Sequence, residues 1–386
     1  YKQMPELDSA DWNAFRANPQ RTGFAPEADV KAVPVEQWRV EDINTTSYGA
    51  AKSSPVVAGD TVYVGSDESI FYAINRDDGE IRWESEIEGT SNGIHGSAAI
   101  GPDGLVYIGA YDGTIYAFDG ESGERQWDYS LGFQIGSSPV YVPSHGRVYT
   151  SHERDENGGG FVSGLDARDG DEIWVRPIRA HAHSSVAIDV LRDKLFVGDN
   201  LAILHAYDLE SGKRVWKHQL DQPGDSQSDI KSTPMVVEEK GLVVFGAWSG
   251  KVHALEVKDG DQKWSLDVEA WVMGSAAYAP TLETVYVGTQ GPTDSLHAID
   301  VNTGEELWRF ETGGSVMSSP AVDGDESTVV VGSTDGNLYA IDAETGEEVW
   351  RHDIGSPVTG SPALVDDWIF VSAARGDLVA LTTQAP

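Results

Sequence analysis

Cysteine is absent from this chain of 386 residues, and methionine occurs only 4 times. Without cysteine the chain has no disulfide, no thiolate nucleophile and no cysteine-based metal site. No stretch approaches the roughly 20 apolar residues that a membrane-spanning helix requires, so the sequence predicts no membrane span. It also contains no signal-peptide pattern, and any export signal or lipid anchor is expected outside this chain.

Basic residues are also scarce: 27 lysines and arginines stand against 63 aspartates and glutamates, giving a formal net charge of −36. This balance excludes nucleic acid as a partner, because the phosphate backbone would be repelled. The acids are spread over the whole chain rather than gathered in a tail. We expect a solvated acidic surface, typical of a halophilic, haloarchaeal source, the alternative being an ordinary acidic surface at low salt.

What the chain has in abundance is a tryptophan repeat. Eight tryptophans follow one another at intervals of 42–48 residues. That period is typical of one four-stranded blade of a β-propeller. The sequence therefore predicts an all-β fold, a single eight-bladed propeller of antiparallel blades. The repeating tryptophans are Trp38, Trp83, Trp127, Trp174, Trp216, Trp264, Trp308 and Trp350.

Each repeat also contains short β-branched and aromatic runs bounded by turn residues, which read as strands. The clearest copy is Ser318-Ser319-Pro320, Val329 to Ser333, Asp335-Gly336, Leu338 to Asp342, Thr345-Gly346-Glu347 and Trp350. The D-x-x-T-G-E segment predicts a turn, because an aspartate can accept backbone N–H groups and glycine tolerates positive φ.

There are eight tryptophan strands but seven of these turns, and the last repeat ends after its third strand. We therefore predict that the N-terminal strand containing Trp38 completes the last blade by pairing with the strand of Leu378 to Leu381, which closes the ring. Residues 1–34 are predicted to form a lead-in segment and residues 35–386 the propeller. We expect a monomer.

The repeat, with the lead-in Asp11-Trp12…Phe15-Arg16…Arg21-Thr22-Gly23, resembles the PQQ-type propeller family, which includes quinoprotein alcohol dehydrogenases and the propeller lipoprotein of the outer-membrane assembly machine. The dehydrogenase resemblance implies pyrroloquinoline quinone beside calcium, held by Asp, Glu, Asn, Arg and Trp residues, and commonly a vicinal disulfide. That disulfide is impossible here, and no insertion carries an Asp base beside a Glu/Asn pair. No cofactor is therefore expected, with PQQ and calcium as the alternative.

Departures from the repeat indicate where function lies. The residue before each Ser-Ser-Pro-like triplet should face the axis, and these residues are Lys52, Gly96, Gly136, His183, Lys231, Gly274, Met317 and Thr359. Polar residues flank this set, and Arg375 replaces aspartate in the final hairpin turn. A partly cationic funnel would attract a small anion or a carboxylate, the alternative being a channel plugged by polar side chains. The candidate ligand-binding residues are Lys52, His95, Gln134, His181, His183, Asp229, Lys231, Met317 and Arg375, with no catalytic or metal-binding residues predicted.

Two insertions, residues 152–158 and 221–229, are predicted to be solvated loops on the funnel face. Trp248, Trp271 and Met273 could form a partner-binding rim on that face. One repeat position is tyrosine in some blades and histidine in three others, at His205, His253 and His297. This equivalence indicates a structural role for the three histidines.

These observations favour a non-catalytic binding or scaffold module, exported or at the cell surface, that presents the funnel to a protein partner or a small anionic ligand. A quinone-dependent dehydrogenase of alcohols or sugars is the first alternative. A sensor domain of a larger receptor or kinase-like protein is the second.

Overall fold

The computed structural model describes residues 11–45, 53–88, 93–153, 158–220, 229–374 and 376–384. Within these ranges the chain forms eight antiparallel sheets of four strands each, and the one helical segment is a short 3₁₀ turn, Pro102–Gly104. The predicted eight-bladed propeller is confirmed. No helix in the described part of the chain is long and apolar enough to cross a membrane.

The first four blades follow one another along the chain, each running from the axis outward. Blade one contains β2 (Val56–Ala58), β3 (Thr61–Gly65), β4 (Ile70–Asn75) and β5 (Ile81–Glu86). Blade two contains β6 (Ala99–Ile100), β7 (Leu105–Gly109), β8 (Thr114–Asp119) and β9 (Arg125–Ser130). Blade three contains β10 (Val140–Val142), β11 (Arg147–His152), β12 (Gly160–Asp166) and β13 (Glu172–Ile178). Blade four contains β14 (Ala187–Asp189), β15 (Lys194–Gly198), β16 (Ile203–Asp208) and β17 (Arg214–Gln219).

The next three blades repeat this order. Blade five contains β18 (Met235–Val237), β19 (Leu242–Gly246), β20 (Lys251–Glu256) and β21 (Gln262–Asp267). Blade six contains β22 (Ala277–Ala279), β23 (Thr284–Gly288), β24 (Ser295–Asp300) and β25 (Glu306–Glu311). Blade seven contains β26 (Ala321–Val322), β27 (Thr328–Gly332), β28 (Asn337–Asp342) and β29 (Glu348–Asp353).

The last blade is built from both ends of the chain. Its strands are β30 (Ala363–Val365), β31 (Trp368–Ser372), β32 (Gly376–Thr382) and, outermost, β1 (Val35–Asn44). Trp38 lies opposite Ala380, and Val40 lies opposite Leu378. The predicted ring closure is therefore confirmed, and it pairs two strand edges that would otherwise be open.

Buried side chains fill the spaces between neighbouring sheets. The second strands are almost wholly buried, as in Thr61–Gly65 and Thr284–Gly288, whereas the outer strands alternate between exposed and partly buried residues. This pattern follows from sheets packing face to face around an axis, with only the outermost strand facing water. The core therefore forms a ring around a central channel.

The lead-in segment, residues 11–34, closes one end of that channel. Its backbone carbonyls accept hydrogen bonds from the innermost strands of six blades, at 2.8–3.0 Å. The six donor and acceptor pairs are Val57 to Trp12, Ile100 to Asn13, Ile188 to Pro19, Val236 to Gln20, Tyr278 to Thr22 and Val322 to Gly23. The lead-in therefore forms a floor beneath the channel, at the end opposite the start of the innermost strands.

Candidate functional site

A closed ring of eight backbone-to-hydroxyl hydrogen bonds surrounds the axis. In each blade a hydroxyl oxygen accepts the N–H of the equivalent residue in the preceding blade at 2.8–3.1 Å, and the Ser361 N–H closes the ring onto Ser54 Oγ. All eight residues are buried. This hydroxyl ring consists of Ser54, Ser97, Ser138, Ser185, Thr233, Ser275, Ser319 and Ser361.

The hydroxyl ring fixes which residues stand two positions earlier, at the mouth of the channel. Ser97 and Ser275 are ring members, so His95 and Met273 occupy the mouth in blades two and six. The sequence alignment was wrong by one residue in those blades, where it placed Gly96 and Gly274. The mouth ring is therefore His95, Gly136, His183, Lys231, Met273, Met317 and Thr359, and the equivalent Lys52 lies outside the described residues.

These two rings enclose a central cavity of about 290 Å³. Its walls are the eight hydroxyl-ring residues, and Phe15 of the lead-in also lines it. The mouth is asymmetric. Blades two, four and five contribute His95, His183 and Lys231, whereas blades six and seven contribute Met273 and Met317. A molecule entering the cavity meets hydrogen-bonding groups on one side and thioethers on the other.

Glu153 is the acidic residue of the mouth. One carboxylate oxygen lies 3.2 Å from His183 Nδ1, and the Tyr111 hydroxyl lies 3.4 Å from the other. The side chain is only 8% exposed, because it occupies the space left by Gly136, where a Cβ would lie 1.9 Å from Glu153 Oε1. The interpretation of His152 and Glu153 as part of a solvated loop is therefore wrong. His152 ends β11 and is fully buried, and Glu153 faces the cavity.

Lys231 stands in the next blade but one, blade five, against two stacked tryptophans. Its Nζ lies 3.5 Å from the centre of the Trp248 ring, a cation–π contact, and 3.8 Å from Asp229 Oδ2. Trp271 stacks on Trp248 with ring centres 5.7 Å apart, and 42% of Trp271 is exposed. Burial lowers the pKa of Lys231 and raises the pKa of Asp229, and each shift is opposed by the charge of the other residue.

Nine residues were predicted to form the ligand site, and the structure brings four of them to the cavity wall: His95, His183, Lys231 and Met317. Gln134, His181 and Asp229 lie one layer further from the axis. Their carbonyls accept backbone hydrogen bonds from Glu153, Asn200 and Trp248 respectively. Lys52 and Arg375 lie outside the described residues.

The sequence contained a signal for the two residues that were missed, Tyr111 and Glu153. Both are equivalent in strand register to Trp248, just after the second strand of their blades. In other blades that position holds Asp67 and Gln290. Aligning this position, as well as the Ser-Ser-Pro-like triplet, would have revealed a second set of residues around the mouth.

The acidic residues of the mouth do not form a cation site. Within the described ranges no three His, Asp or Glu side chains converge on one point that could hold a metal ion. Glu153 and Asp229 are instead engaged by His183 and Lys231. The described residues therefore supply no acidic cluster for the calcium that the dehydrogenase resemblance implies.

The repeat architecture agrees with a comparison against protein families. A family model described as Outer membrane protein assembly factor BamB matches residues 28–194, 190–293 and 292–385. The chain belongs to this family of PQQ-type repeat propellers. The matched segments cover the eight blades, and they begin within the lead-in.

Individual relatives fall into two groups. The outer membrane protein assembly factor BamB of Yersinia pestis is 22% identical over 245 residues, covering 60% of this chain and 49% of the relative. The quinohemoprotein alcohol dehydrogenase ADH IIB of Pseudomonas putida is 27% identical over 188 residues, covering 37% of this chain and 26% of the relative. The matched part of the chain thus spans about half or less of these relatives.

A solved structure confirms the fold. The europium-containing methanol dehydrogenase superposes with a TM-score of 0.82 at 15% sequence identity, covering 97% of this chain and 98% of that chain. At this identity the similarity establishes the propeller architecture alone.

Proposed function

We propose that this propeller is a non-catalytic binding module, which holds a segment of a protein partner at the mouth of its central cavity. The observation that carries the proposal is the stack of Lys231, Trp248 and Trp271, because it combines an exposed aromatic ring with a desolvated ammonium group. Tryptophan clusters of this kind dominate the binding energy of protein interfaces. The BamB relatives, described as assembly factors, support a scaffold role.

The charges of the mouth favour a protein segment over a free small anion. Asp229 lies 3.8 Å from Lys231, and Glu153 lies 3.2 Å from His183, so the two basic groups are partly neutralised. A free anion would gain little from such a mouth. A segment that places an apolar or aromatic side chain against Trp271 and Met273, and a carboxylate near Lys231, would use both sides of the opening.

We infer that the module works outside the cytoplasm, at the surface of a halophilic cell. The family resemblance supports export, and the net charge of −36 supports adaptation to high salt. Protease treatment of intact cells tests the location. Degradation of the protein while a cytoplasmic marker survives is the expected result, and complete protection would contradict it.

A bait experiment tests the partner proposal. The immobilised chain is compared with Trp271→Ala and with Leu307→Ala, since Leu307 is also exposed, at 53%, but lies on the outer strand of blade six. Quantitative mass spectrometry of a native extract should find a protein whose recovery falls about tenfold or more with Trp271→Ala and is unchanged with Leu307→Ala. Equal recovery on all three baits would contradict the proposal.

A quinone-dependent dehydrogenase is the second candidate. It is supported by the sequence similarity to a quinohemoprotein alcohol dehydrogenase and by Asp229, a carboxylate of raised pKa beside the cavity. Such a group could accept a proton from a substrate hydroxyl. The absence of a converging acidic cluster in the described residues ranks this candidate below the binding module.

A further inference from the structure

The lead-in beneath the cavity contains two arginines whose charges are not balanced by any carboxylate in the described part of the chain. Neither of them lines the cavity itself. Arg16 and Arg21 are both fully buried. The protein groups that they bind are backbone carbonyls: Arg16 donates to Ala276, and Arg21 donates to Phe15, Ser138, Pro139 and Val186. Burial lowers the pKa of each arginine to about 9, so both remain protonated at neutral pH.

Both guanidinium groups lie just below the hydroxyl ring. Arg21 Nη2 lies 3.0 Å from the carbonyl oxygen of Ser138, which is itself a ring member. Arg16 Nη2 lies 2.9 Å from the carbonyl of Ala276, the residue after ring member Ser275. The two arginines are close enough that their charges repel each other. Arg16 also has two buried nitrogens, Nε and Nη1, without a hydrogen-bond partner.

The lead-in backbone is strained at both arginines. Arg16, Ala17 and Arg21 have φ values of 64°, 71° and 63°, in the left-handed region that residues other than glycine rarely adopt. Gly23 lies so close that a Cβ there would be 2.0 Å from Arg16 Nη2. Strain, desolvation and mutual repulsion all oppose this arrangement, so a compensating negative charge would stabilise it.

The hydroxyl ring supplies the complementary hydrogen-bond donors. Each of its eight oxygens already accepts a backbone N–H, so each hydroxyl retains a proton to donate. None of these protons has an acceptor among the described residues, and all eight residues line the cavity. A circle of hydroxyl donors above two buried guanidinium groups is an environment suited to a negative ion.

We propose that the lower part of the cavity, between the hydroxyl ring and Phe15, binds a small monovalent anion such as a halide. The anion would accept hydrogen bonds from ring hydroxyls and offset the charges of Arg16 and Arg21. This site lies below the mouth and shares no residue with the Lys231, Trp248 and Trp271 stack. The anion site and the partner proposal can therefore be tested separately.

Two measurements test the site. Wild-type crystals soaked in sodium bromide should give an anomalous bromide peak inside the ring, within hydrogen-bonding reach of at least two of its hydroxyls. This measurement requires no variant. A cavity that contains only water, with bromide confined to the outer surface, would overturn the proposal.

The second measurement is thermal unfolding in sodium chloride and in sodium gluconate at equal concentration and pH. An anion that binds only the folded state should raise Tm in chloride by about 3 °C. Arg16→Met should lose this difference. Arg176→Met is the matched control, because Arg176 is also held by carbonyls, those of Val175, Ser211 and Gly212, but lies on an outer strand. An equal chloride effect in all three proteins would contradict the site.

Discussion

Trp38, in the outer strand of blade eight, packs on Gly79 in the turn of blade one. A Cβ at Gly79 would lie 2.8 Å from Trp38 Cδ2, and Trp38 Nε1 donates to the Arg76 carbonyl at 2.8 Å. The same contact recurs at every turn, ending with Trp308 on Gly346. Trp350 has no eighth turn to meet, and it donates instead to the carbonyl of Val30 in the lead-in. The lead-in thus takes the place of the missing turn.

This packing predicts that alanine substitution lowers stability more at Gly212 than at Gly59, although the two glycines have similar backbone conformations. Gly212 has φ +64° and would place a Cβ 2.5 Å from Trp174, whereas Gly59 has φ +58° and nothing within 4 Å. Gly59→Ala should cost about 1–2 kcal/mol of stability, the cost of the left-handed conformation alone. Gly212→Ala should cost about 1–3 kcal/mol more, because the indole must move. Denaturant unfolding measures both, and equal losses would show that the glycine does not serve tryptophan packing.

The hydroxyl ring should contribute to stability as well as line the cavity. Thr233 Oγ1 accepts the backbone N–H of Ser185 at 3.1 Å. Thr233→Val keeps the shape of the side chain but leaves that buried N–H without an acceptor, which should cost about 1–3 kcal/mol. Thr233→Ser retains the acceptor and should stay closer to the wild type. If valine and serine have the same effect on the unfolding free energy, the ring bond is not a stabilising one.

The burial of His152 predicts that the protein loses stability in mild acid. Burial lowers its pKa from 6.5 to about 3, so the folded protein keeps it neutral while the unfolded chain takes up a proton below pH 6.5. Stability should fall as the pH drops through that window, by about 1.5 kcal/mol between pH 6.5 and about 5.

Buried Asp323 acts in the opposite sense, because burial raises its pKa to about 6. The folded state is favoured when Asp323 is protonated. The stability that Asp323 contributes is therefore lost as the pH rises from 3.8 to about 6. The contribution of His152 is therefore measured as the difference in unfolding free energy between wild type and His152→Asn. His218→Asn, on the outer strand β17, is the control. A difference that does not change between pH 7 and 5 would rule out the assigned role of His152.

The acid excess predicts dependence on salt. With 63 acids and 27 bases, removal of molar salt exposes the folded chain to unscreened repulsion. Circular-dichroism melts at about 3 M and about 0.05 M KCl should show a much lower midpoint at low salt. An unchanged midpoint would count against a halophilic source.

The fold was predictable because its signals are local and repeated. The tryptophan interval predicts the blades. The excess of eight tryptophan strands over seven turns predicts that β1 pairs with β32 to close the ring. The site was harder to predict, because its register depends on hydrogen bonds between blades. Ser97 and Ser275 follow single glycines rather than serines, so only the ring of bonds shows that His95 and Met273 face the mouth.

The sequence also did not allow us to predict which charged groups are buried. Glu153 sits in an acidic, glycine-rich insertion that resembles a solvated loop, yet the space above Gly136 admits its carboxylate. Arg16 and Arg21 looked like part of a family lead-in, and nothing local shows that they are buried beneath the hydroxyl ring. Such positions depend on contacts across more than 100 residues of chain, as between Arg21 and Ser138.

The claim that the propeller is a non-catalytic binding module is tested most directly by supplying the cofactor of its enzymatic relatives. The purified chain is mixed with pyrroloquinoline quinone and calcium, and dye-linked oxidation of alcohols and sugars is followed together with the visible spectrum. We predict no turnover, because the described residues offer no converging calcium ligands. Turnover that is abolished by Asp229→Asn and retained by Asp377→Asn, a carboxylate paired with Arg39 on the outer rim of blade eight, would contradict the account and identify the chain as a dehydrogenase.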